Sequence, residues 1–137
     1  MLGRVDHVGY LAADLDGAVS RLGRLFGLEV TRPVDLPQFS VLGVFLGSGP
    51  GNIEVFTLTD PALLAERLGT MELLLDHVAY EVADIVREAR VLAAEGVRFC
   101  GPDRAQEVSE PFELGGVRHL WTVPESISGQ SLQLLQR

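Results

Sequence analysis

Residues 6–15 read Asp-His-Val-Gly-Tyr-Leu-Ala-Ala-Asp-Leu, and residues 76–85 read Asp-His-Val-Ala-Tyr-Glu-Val-Ala-Asp-Ile. Six positions are identical in the two segments, which begin 70 residues apart in a chain of 137. A repeat of that length predicts two copies of one supersecondary unit rather than a solenoid. The repeat also gives His7 and His77 equivalent positions in a pseudo-symmetric pair, and two equivalent histidines facing a shared space are a candidate metal site.

The strand pattern is the same in both copies. Alternating apolar residues predict a strand at about 4–11 and another at about 75–82. Three further strands are expected after the helix of each copy, near 28–32, 38–46, 52–58, 97–100, 117–123 and 131–136. Each copy is therefore predicted to be a βαβββ module.

The helix of each copy is marked by its two ends. In the first copy Asp14 or Asp16 is the expected N-cap and Gly27 the stop, and in the second copy Asp84 and Gly96 take these positions. Apolar residues at helical spacing form a stripe in the first helix, comprising Leu15, Ala18, Val19, Leu22, Leu25 and Phe26. Both helices are expected to cover the apolar face of their strands.

A short helix is predicted between the two copies, at 60–69. Asp60 precedes Pro61 at its start and Gly69 follows its end, which is the usual asymmetry of helix termini. The predicted organisation is one domain, 1–137, made of a module at 1–59, a helical linker at 60–72 and a module at 73–137. The stretch 101–116 is the least regular and is expected to form a long loop near the site.

The composition excludes several classes of function. A formal net charge of −8 argues against a nucleic-acid partner, which needs a basic surface. The chain has arginines but no lysine, so no lysine Schiff base can form. No apolar run approaches the roughly 20 residues of a membrane span, and the first repeat begins too early for a signal peptide. Cys100 is the single cysteine, which favours a reducing cytoplasm.

Strand alternation gives the two histidines polar companions. His7 shares a strand face with Gly9, and the last strand of each copy carries one polar residue, Glu54 or Gln133, between apolar ones. A polar residue inside an apolar strand is costly unless it finds a partner. Brought together, these residues would provide two nitrogen and two oxygen ligands for one divalent ion. Waters could complete an octahedral shell for Ni, Co, Mn, Fe or Zn, and the predicted ligands are His7, Glu54, His77 and Gln133.

Three further residues are weaker candidates for the substrate pocket. His119 and Trp121 lie on the predicted strand at 117–123, where His119 either lines the pocket or packs in the core or at its rim. Glu113 lies in the irregular stretch before that strand, whose acidic residues are expected to be mostly solvated. Asp6 and Asp76 are expected to brace the ends of their strands.

The paired Asp-His-Val-x-Tyr motifs, the βαβββ halves, the helix stops, and the strand positions of Glu54 and Gln133 resemble the vicinal oxygen chelate superfamily. This superfamily includes glyoxalase I, methylmalonyl-CoA epimerase, extradiol dioxygenases, and the fosfomycin and bleomycin resistance proteins. The resemblance implies an α+β fold in which two tandem βαβββ modules form a curled mixed sheet around a metal-binding cleft, often as a homodimer. It also implies that the four candidate donors named above bind one metal ion.

The ligand types discriminate among the reactions of this family. Extradiol dioxygenases hold iron with two histidines and a carboxylate on the final strand, where this chain has Gln133. Glyoxalase I enzymes usually have glutamate at that position. Methylmalonyl-CoA epimerases often carry histidine, glutamine, histidine and glutamate in chain order, and here Glu54 and Gln133 are exchanged. A second acid/base glutamate of those epimerases has no counterpart on the strand at 41–46, where Gly43 is nearest.

The resemblance leads to a metal-dependent isomerase, epimerase or lyase of the glyoxalase or methylmalonyl-CoA epimerase type. Its expected substrate is a small carbonyl compound that reacts through an enolate-like intermediate, with Glu54 as the base. Epimerisation needs a second proton carrier, for which a bound water, His119 or Glu113 is a candidate.

Two other functions remain open from the sequence. One is a small-molecule binding protein that sequesters an antibiotic or another aromatic ligand, and the other is a metal-dependent dioxygenase with an atypical amide ligand. In each case the expected partner is a small molecule, together with a second copy of the chain. No nucleic acid or membrane partner is expected.

Overall fold

A computed structural model describes the whole chain, Met1–Arg137. It contains three α-helices, α1 (Leu15–Phe26), α2 (Pro61–Leu68) and α3 (Ile85–Ala94). The strands are β1 (Val5–Ala12), β2 (Val30–Leu36), β3 (Val41–Leu46), β4 (Asn52–Leu58), β5 (Leu73–Glu81), β6 (Phe99–Cys100), β7 (Glu107–Val108), β8 (Phe112–Leu114), β9 (Val117–Thr122) and β10 (Leu132–Gln136). The predicted α+β class is confirmed.

The chain divides into two compact units. The first unit is His7–Asp76, and the second unit combines Met1–Asp6 with His77–Arg137. The predicted modules at 1–59 and 73–137, with their helical linker, stay a prediction. None of the three helices has the length and apolar character needed to cross a membrane.

The first unit has the strand order β2-β3-β4-β1, with β1 parallel to β4 and the other neighbours antiparallel. On one face α1 contributes Leu22 to a buried cluster that includes Val55 of β4. On the opposite face α2 contributes Leu68 to a second cluster, with Phe56 of β4. Each helix therefore covers one face of the same sheet, and part of the α2 face is left to the polar residues of β1 and β4.

The second unit has the strand order β5-β10-β9-β6-β7, and β8 pairs with β9. Strand β10 is parallel to β5 and antiparallel to β9, so this sheet is also mixed. Helix α3 packs against the sheet through a buried cluster that contains Ile85, Leu120 and Leu134. Successive side chains of a strand point to opposite faces, so Gln133 lies on the face away from α3.

The helix ends follow the predicted pattern. Asp14 accepts a hydrogen bond from the Gly17 N–H at 3.1 Å and is therefore the N-cap of α1 rather than Asp16. Asp84 caps α3 in the same way, through the Arg87 N–H at 3.0 Å. Gly27 ends α1 with a φ of 65°, a left-handed conformation that favours glycine.

Three details of the predicted elements are wrong. The last two residues of the α1 stripe, Leu25 and Phe26, are 64% and 49% exposed. Strand β2 lies at Val30–Leu36 rather than 28–32, because the chain first leaves α1 through a turn in which the Leu28 N–H donates to the Gly23 carbonyl. The expected loop at 101–116 contains the short strands β7 and β8, which alternation over two or three residues cannot reveal.

Candidate metal centre

The first unit brings His7 and Glu54 together on neighbouring parallel strands. Glu54 is the register partner of Gly9, and His7 precedes Gly9 by two residues, so both side chains lie on one face. The Nε2 atom of His7 lies 3.3 Å from Oε2 of Glu54, and both residues are buried. Gly9 has no side chain, so β1 places no side chain directly opposite Glu54.

Phe45 supports this pair from the next strand. It is the register partner of Glu54 on β3, so its ring lies on the same face of the sheet. The ring meets the His7 imidazole edge to face, with 5.0 Å between the ring centroids and an angle of 85°. This arrangement is a favoured geometry for aromatic rings and restricts how the imidazole can turn.

The second unit carries His77 and Gln133 on another pair of parallel strands. Gln133 is the register partner of Ala79, and His77 precedes Ala79 by two residues on β5. The two side chains therefore share one face, and both residues are buried. The small side chain of Ala79 has the position that Gly9 has in the first unit, as the sequence repeat predicts.

The amide of Gln133 is half satisfied. Its Nε2 atom lies 3.0 Å from Nδ1 of His119, whereas its Oε1 atom is buried and has no hydrogen-bond partner. A buried oxygen without a partner costs roughly 1–3 kcal/mol, and such atoms are rare in native proteins. A metal ligand is one role in which this oxygen gains a partner.

The pocket candidates His119 and Trp121 lie on β9 beside Gln133. Trp121 is the register partner of Gln133, and His119 is two residues away, so all three share one face. The two rings are stacked, with 5.6 Å between their centroids and an angle of 16°. The sequence predicts His119 in the pocket, in the core or at its rim, and in the structure His119 contacts the Gln133 amide.

Glu113 is not brought to this face. On the β8–β9 pair Phe112 is the register partner of His119, and Glu113 is the partner of Arg118. Adjacent residues of a strand alternate between faces, so the exposed Glu113 side chain points away from His119.

The two repeated aspartates have structural partners. Asp76 accepts hydrogen bonds from Nε and Nη2 of Arg67 at 3.1 and 2.9 Å. Asp6 accepts one from Nη2 of Arg137 at 2.7 Å. Both carboxylates are therefore held by arginines, as expected for residues that brace the ends of strands.

Gly43 lies where the resemblance implies that a second glutamate is missing. It shares the face of Glu54, because Phe45 and Gly43 are two residues apart on β3. An ideal Cβ on Gly43 would lie 2.4 Å from the Val55 carbonyl oxygen and 2.7 Å from the Cβ of Phe56. Real Cβ atoms do not approach backbone this closely, so the present backbone has no room for a side chain at this position.

Two residues near the first pair are missed by sequence analysis. Arg32 lies with its guanidinium carbon 3.9 Å from the centroid of the Phe45 ring. Asn52 is the register partner of His7, and its Oδ1 atom is buried without a hydrogen-bond partner. An asparagine just after the glycine-rich turn at 47–51 is typical of a turn, so its sequence position gave no signal for the site.

The donor types fit a divalent metal ion. His7 and Glu54 of the first unit and His77 of the second unit are buried imidazole and carboxylate donors, which are ligand types that divalent ions take. Gln133 of the second unit has a buried amide oxygen that lacks a hydrogen-bond partner. Mixed nitrogen and oxygen ligands of this kind suit Zn, Ni, Co, Fe and Mn, and the set does not identify one of them.

Comparisons with known proteins agree with this fold. Residues 6–112 match the family profile described as Glyoxalase/Bleomycin resistance protein/Dioxygenase superfamily. The ethylmalonyl-CoA/methylmalonyl-CoA epimerase of Cereibacter sphaeroides is 30% identical over 106 residues, which cover 74% of this chain and 77% of that protein.

Solved structures of methylmalonyl-CoA epimerases are similar over nearly the whole chain. A Streptomyces coelicolor enzyme variant in complex with 2-nitronate-propionyl-CoA has a TM-score of 0.82 at 22% identity, covering 99% of this chain and 98% of the other. The enzyme from Mycobacterium tuberculosis has a TM-score of 0.81 at 19% identity, with 98% and 88% covered. At these identities the structures establish a shared fold.

Proposed function

The chain belongs to the glyoxalase/bleomycin resistance protein/dioxygenase superfamily, and from this premise we propose that it is a metal-dependent epimerase of a methylmalonyl-type acyl-CoA thioester. The observation that carries the proposal is the half-satisfied Gln133 amide, whose buried oxygen has no hydrogen-bond partner and would serve as the fourth donor beside His7, Glu54 and His77. The relatives named above support this substrate class, since both names and complexes refer to CoA thioesters.

We propose that one divalent ion is held by His7, Glu54, His77 and Gln133. When bound, such an ion polarises a substrate carbonyl and makes the neighbouring C–H more acidic. The chain supports this site by restricting the imidazole of His7 against Phe45 and by holding the amide of Gln133 against His119. Ni, Co, Mn, Fe and Zn are the candidate ions.

Glu54 is the proposed base. Its carboxylate is buried on β4, and an oxygen of this carboxylate would take the proton from the carbon next to the thioester carbonyl. Epimerisation also needs a proton to return on the opposite face of the substrate. A bound water or His119 is the proposed carrier, since Glu113 lies on the other face of its hairpin.

The aromatic pair of His119 and Trp121 is the proposed wall of the substrate pocket. Stacked rings beside the Gln133 amide offer an apolar surface with a polar edge, a combination common in small-molecule sites. We expect this wall to contact the acyl group rather than the nucleotide end of the substrate, because Gln133 is one of the proposed metal ligands.

We also propose a homodimer. Leu25, Phe26 and Val30, at the end of α1 and the start of β2, are large apolar residues that are exposed in the single chain. Size-exclusion chromatography with light scattering tests the assembly, and Phe26→Glu should convert a dimer to a monomer. The proposed location is the cytoplasm, where the single thiol of the chain, Cys100, would stay reduced.

Proton exchange tests the proposed reaction. Methylmalonyl-CoA is incubated in D₂O with metal-loaded protein, and loss of the α-proton signal is followed by NMR against a protein-free control. Glu54→Gln, with its metal content checked by elemental analysis to equal that of the wild type, is expected to slow exchange by at least about a hundredfold, because a positioned base contributes about 10²–10⁴ in rate. Glu95→Gln, on an exposed residue after α3, is the matched control and should exchange at the wild-type rate.

Two outcomes would contradict this function. Retained exchange in the Glu54→Gln protein would remove Glu54 from the role of base while leaving the epimerase proposal in place. Absence of exchange by the wild-type protein with each of the five candidate metals would overturn the epimerase proposal itself.

A further inference from the structure

Arg32 lies on the same strand face as the His7–Glu54 pair of the first unit. It is the register partner of Phe45 on β3, and Phe45 is the register partner of Glu54 on β4. Its guanidinium carbon lies 3.9 Å from the centroid of the Phe45 ring. The residue is exposed, and no carboxylate of the chain forms an ion pair with it.

A β-bulge is what puts Arg32 on this face. Val30 pairs with Leu46, but Arg32 pairs with Phe45, so Thr31 is an extra residue in β2. Without the extra residue Thr31 would oppose Phe45, and Arg32 would oppose Val44 on the α1 face. Bulges often re-aim a side chain next to an active site.

The bulge is held by a side-chain hydrogen bond. The Thr31 hydroxyl lies 2.7 Å from the Gly47 carbonyl oxygen and 3.3 Å from that of Phe45, to which it can donate. Both acceptors belong to β3 or to the turn that follows it. The position of Arg32 is thus fixed by the hydrogen bonds of Thr31 as well as by its own contact with the Phe45 ring.

The Phe45 ring is a fixed platform for the guanidinium. The ring is buried and also meets the His7 imidazole, so it has little freedom to move. A guanidinium stacked on a ring keeps the N–H donors on its edge, which match the oxygens of a carboxylate or a phosphate. Arg32 therefore has an attractive partner for its face and unused donors at its edge.

We propose that Arg32 binds an anionic oxygen group of the substrate, either the free carboxylate of the acyl group or a phosphate of CoA. This inference rests on the proposed function. The chain carries a formal net charge of −8, so an anionic thioester meets an unfavourable overall field. A positioned cation on the strand face of His7 and Glu54 offsets that repulsion for the anionic oxygen group that it binds.

Equilibrium binding of two thioesters tests the inference without turnover. Isothermal titration calorimetry gives the Kd of malonyl-CoA and of propionyl-CoA, which lacks the carboxylate, for the full chain and for Arg32→Gln. If Arg32 binds the carboxylate, the substitution raises the Kd of malonyl-CoA about ten- to a hundredfold and leaves the Kd of propionyl-CoA unchanged. If Arg32 binds a phosphate, the Kd values of both thioesters rise by the same factor. Arg24→Gln, an exposed arginine of α1, is the matched control and should bind both as the wild type does.

Thr31→Val provides a second, milder variant. It removes the hydroxyl that holds the bulge and keeps Arg32, so binding should weaken for the same thioester as in Arg32→Gln but by a smaller factor. Wild-type binding in Thr31→Val would overturn the role of the bulge.

The binding experiment distinguishes failure of the Arg32 inference from failure of the proposed function. Unchanged Kd values in Arg32→Gln, with a wild-type protein that binds the thioesters, would overturn the inference and leave the proposed function intact. A wild-type protein that binds neither thioester would overturn the proposed function, and this inference with it.

Discussion

The side-chain nitrogen of Gln133 lies 3.0 Å from Nδ1 of His119, and the oxygen of the same amide has no hydrogen-bond partner. An amide nitrogen only donates hydrogen bonds, so Nδ1 of His119 is the acceptor in this contact. The contact thereby fixes which end of the amide faces His119 and which end is left for another partner. It links a residue of the proposed pocket to a proposed metal ligand.

Removal of His119 should therefore weaken metal binding without abolishing it. In His119→Ala the amide loses the contact that orients it, and loss of such a supporting contact typically costs 10–100-fold in metal affinity. Competition with a chromophoric chelator measures the change. Arg118→Gln, on the neighbouring residue of β9, is the control and should keep the wild-type affinity. Equal affinities for the wild type and His119→Ala would show that the contact does not position the ligand.

The two arginine–aspartate pairs should differ in their contribution to stability. The side chains of Arg67 and Asp76 are 9% and 0% exposed, whereas those of Arg137 and Asp6 are 46% and 12% exposed. Arg67→Ala leaves a buried charge without its arginine partner and is expected to lower the free energy of unfolding by about 3–5 kcal/mol. Arg137→Ala should lower it by at most about 1 kcal/mol. Urea unfolding of both variants makes the comparison, and equal losses would contradict it.

Gly43 should not tolerate a side chain. In Gly43→Ala the new Cβ would contact the backbone of β4, where the nearest atoms are the Val55 oxygen and the Phe56 Cβ and Cα. Overpacking of this kind costs about 1–3 kcal/mol, which thermal or urea unfolding can measure. Ser48→Ala, in the exposed turn after β3, is the control and should change stability by less than about 0.5 kcal/mol. A Gly43→Ala protein as stable as the wild type would show that β4 can shift to accept a residue here.

Local signals in the sequence account for much of the fold. The caps of α1 and α3 were predictable because aspartate side chains compete for the first N–H groups of a helix, and Gly27 because only glycine adopts a positive φ without cost. The shared face of His7 and Gly9 followed from alternation, which needs no knowledge of neighbouring strands. The exposure of Leu25 and Phe26 at the C-terminal end of α1 was not predictable, because apolar spacing cannot tell a core contact from an uncovered surface.

Some contacts of the site could not be predicted from the sequence, because they depend on the register between strands that are distant in the chain. The contact between Gln133 and His119 depends on which residues of β9 and β10 are opposite each other, and no local pattern encodes that pairing. Arg32 depends on a single inserted residue in β2, and regular alternation would have assigned it to the opposite face. For Glu113 the register removes a predicted pocket residue. Its position in the chain suggested the pocket, but it pairs with Arg118 and therefore points away from His119.

The central claim is that four residues from the two repeats bind one metal ion. Elemental analysis of protein purified without a chelator or a histidine tag tests it most directly, for the wild type and for the double variant His7→Ala, His77→Ala. A thermal unfolding curve recorded in chelator confirms that the variant is folded. We predict about one equivalent of a divalent ion in the wild type and none in the variant. A wild-type protein that takes up none of Ni, Co, Mn, Fe and Zn, or a folded variant that keeps a full equivalent, would contradict the claim.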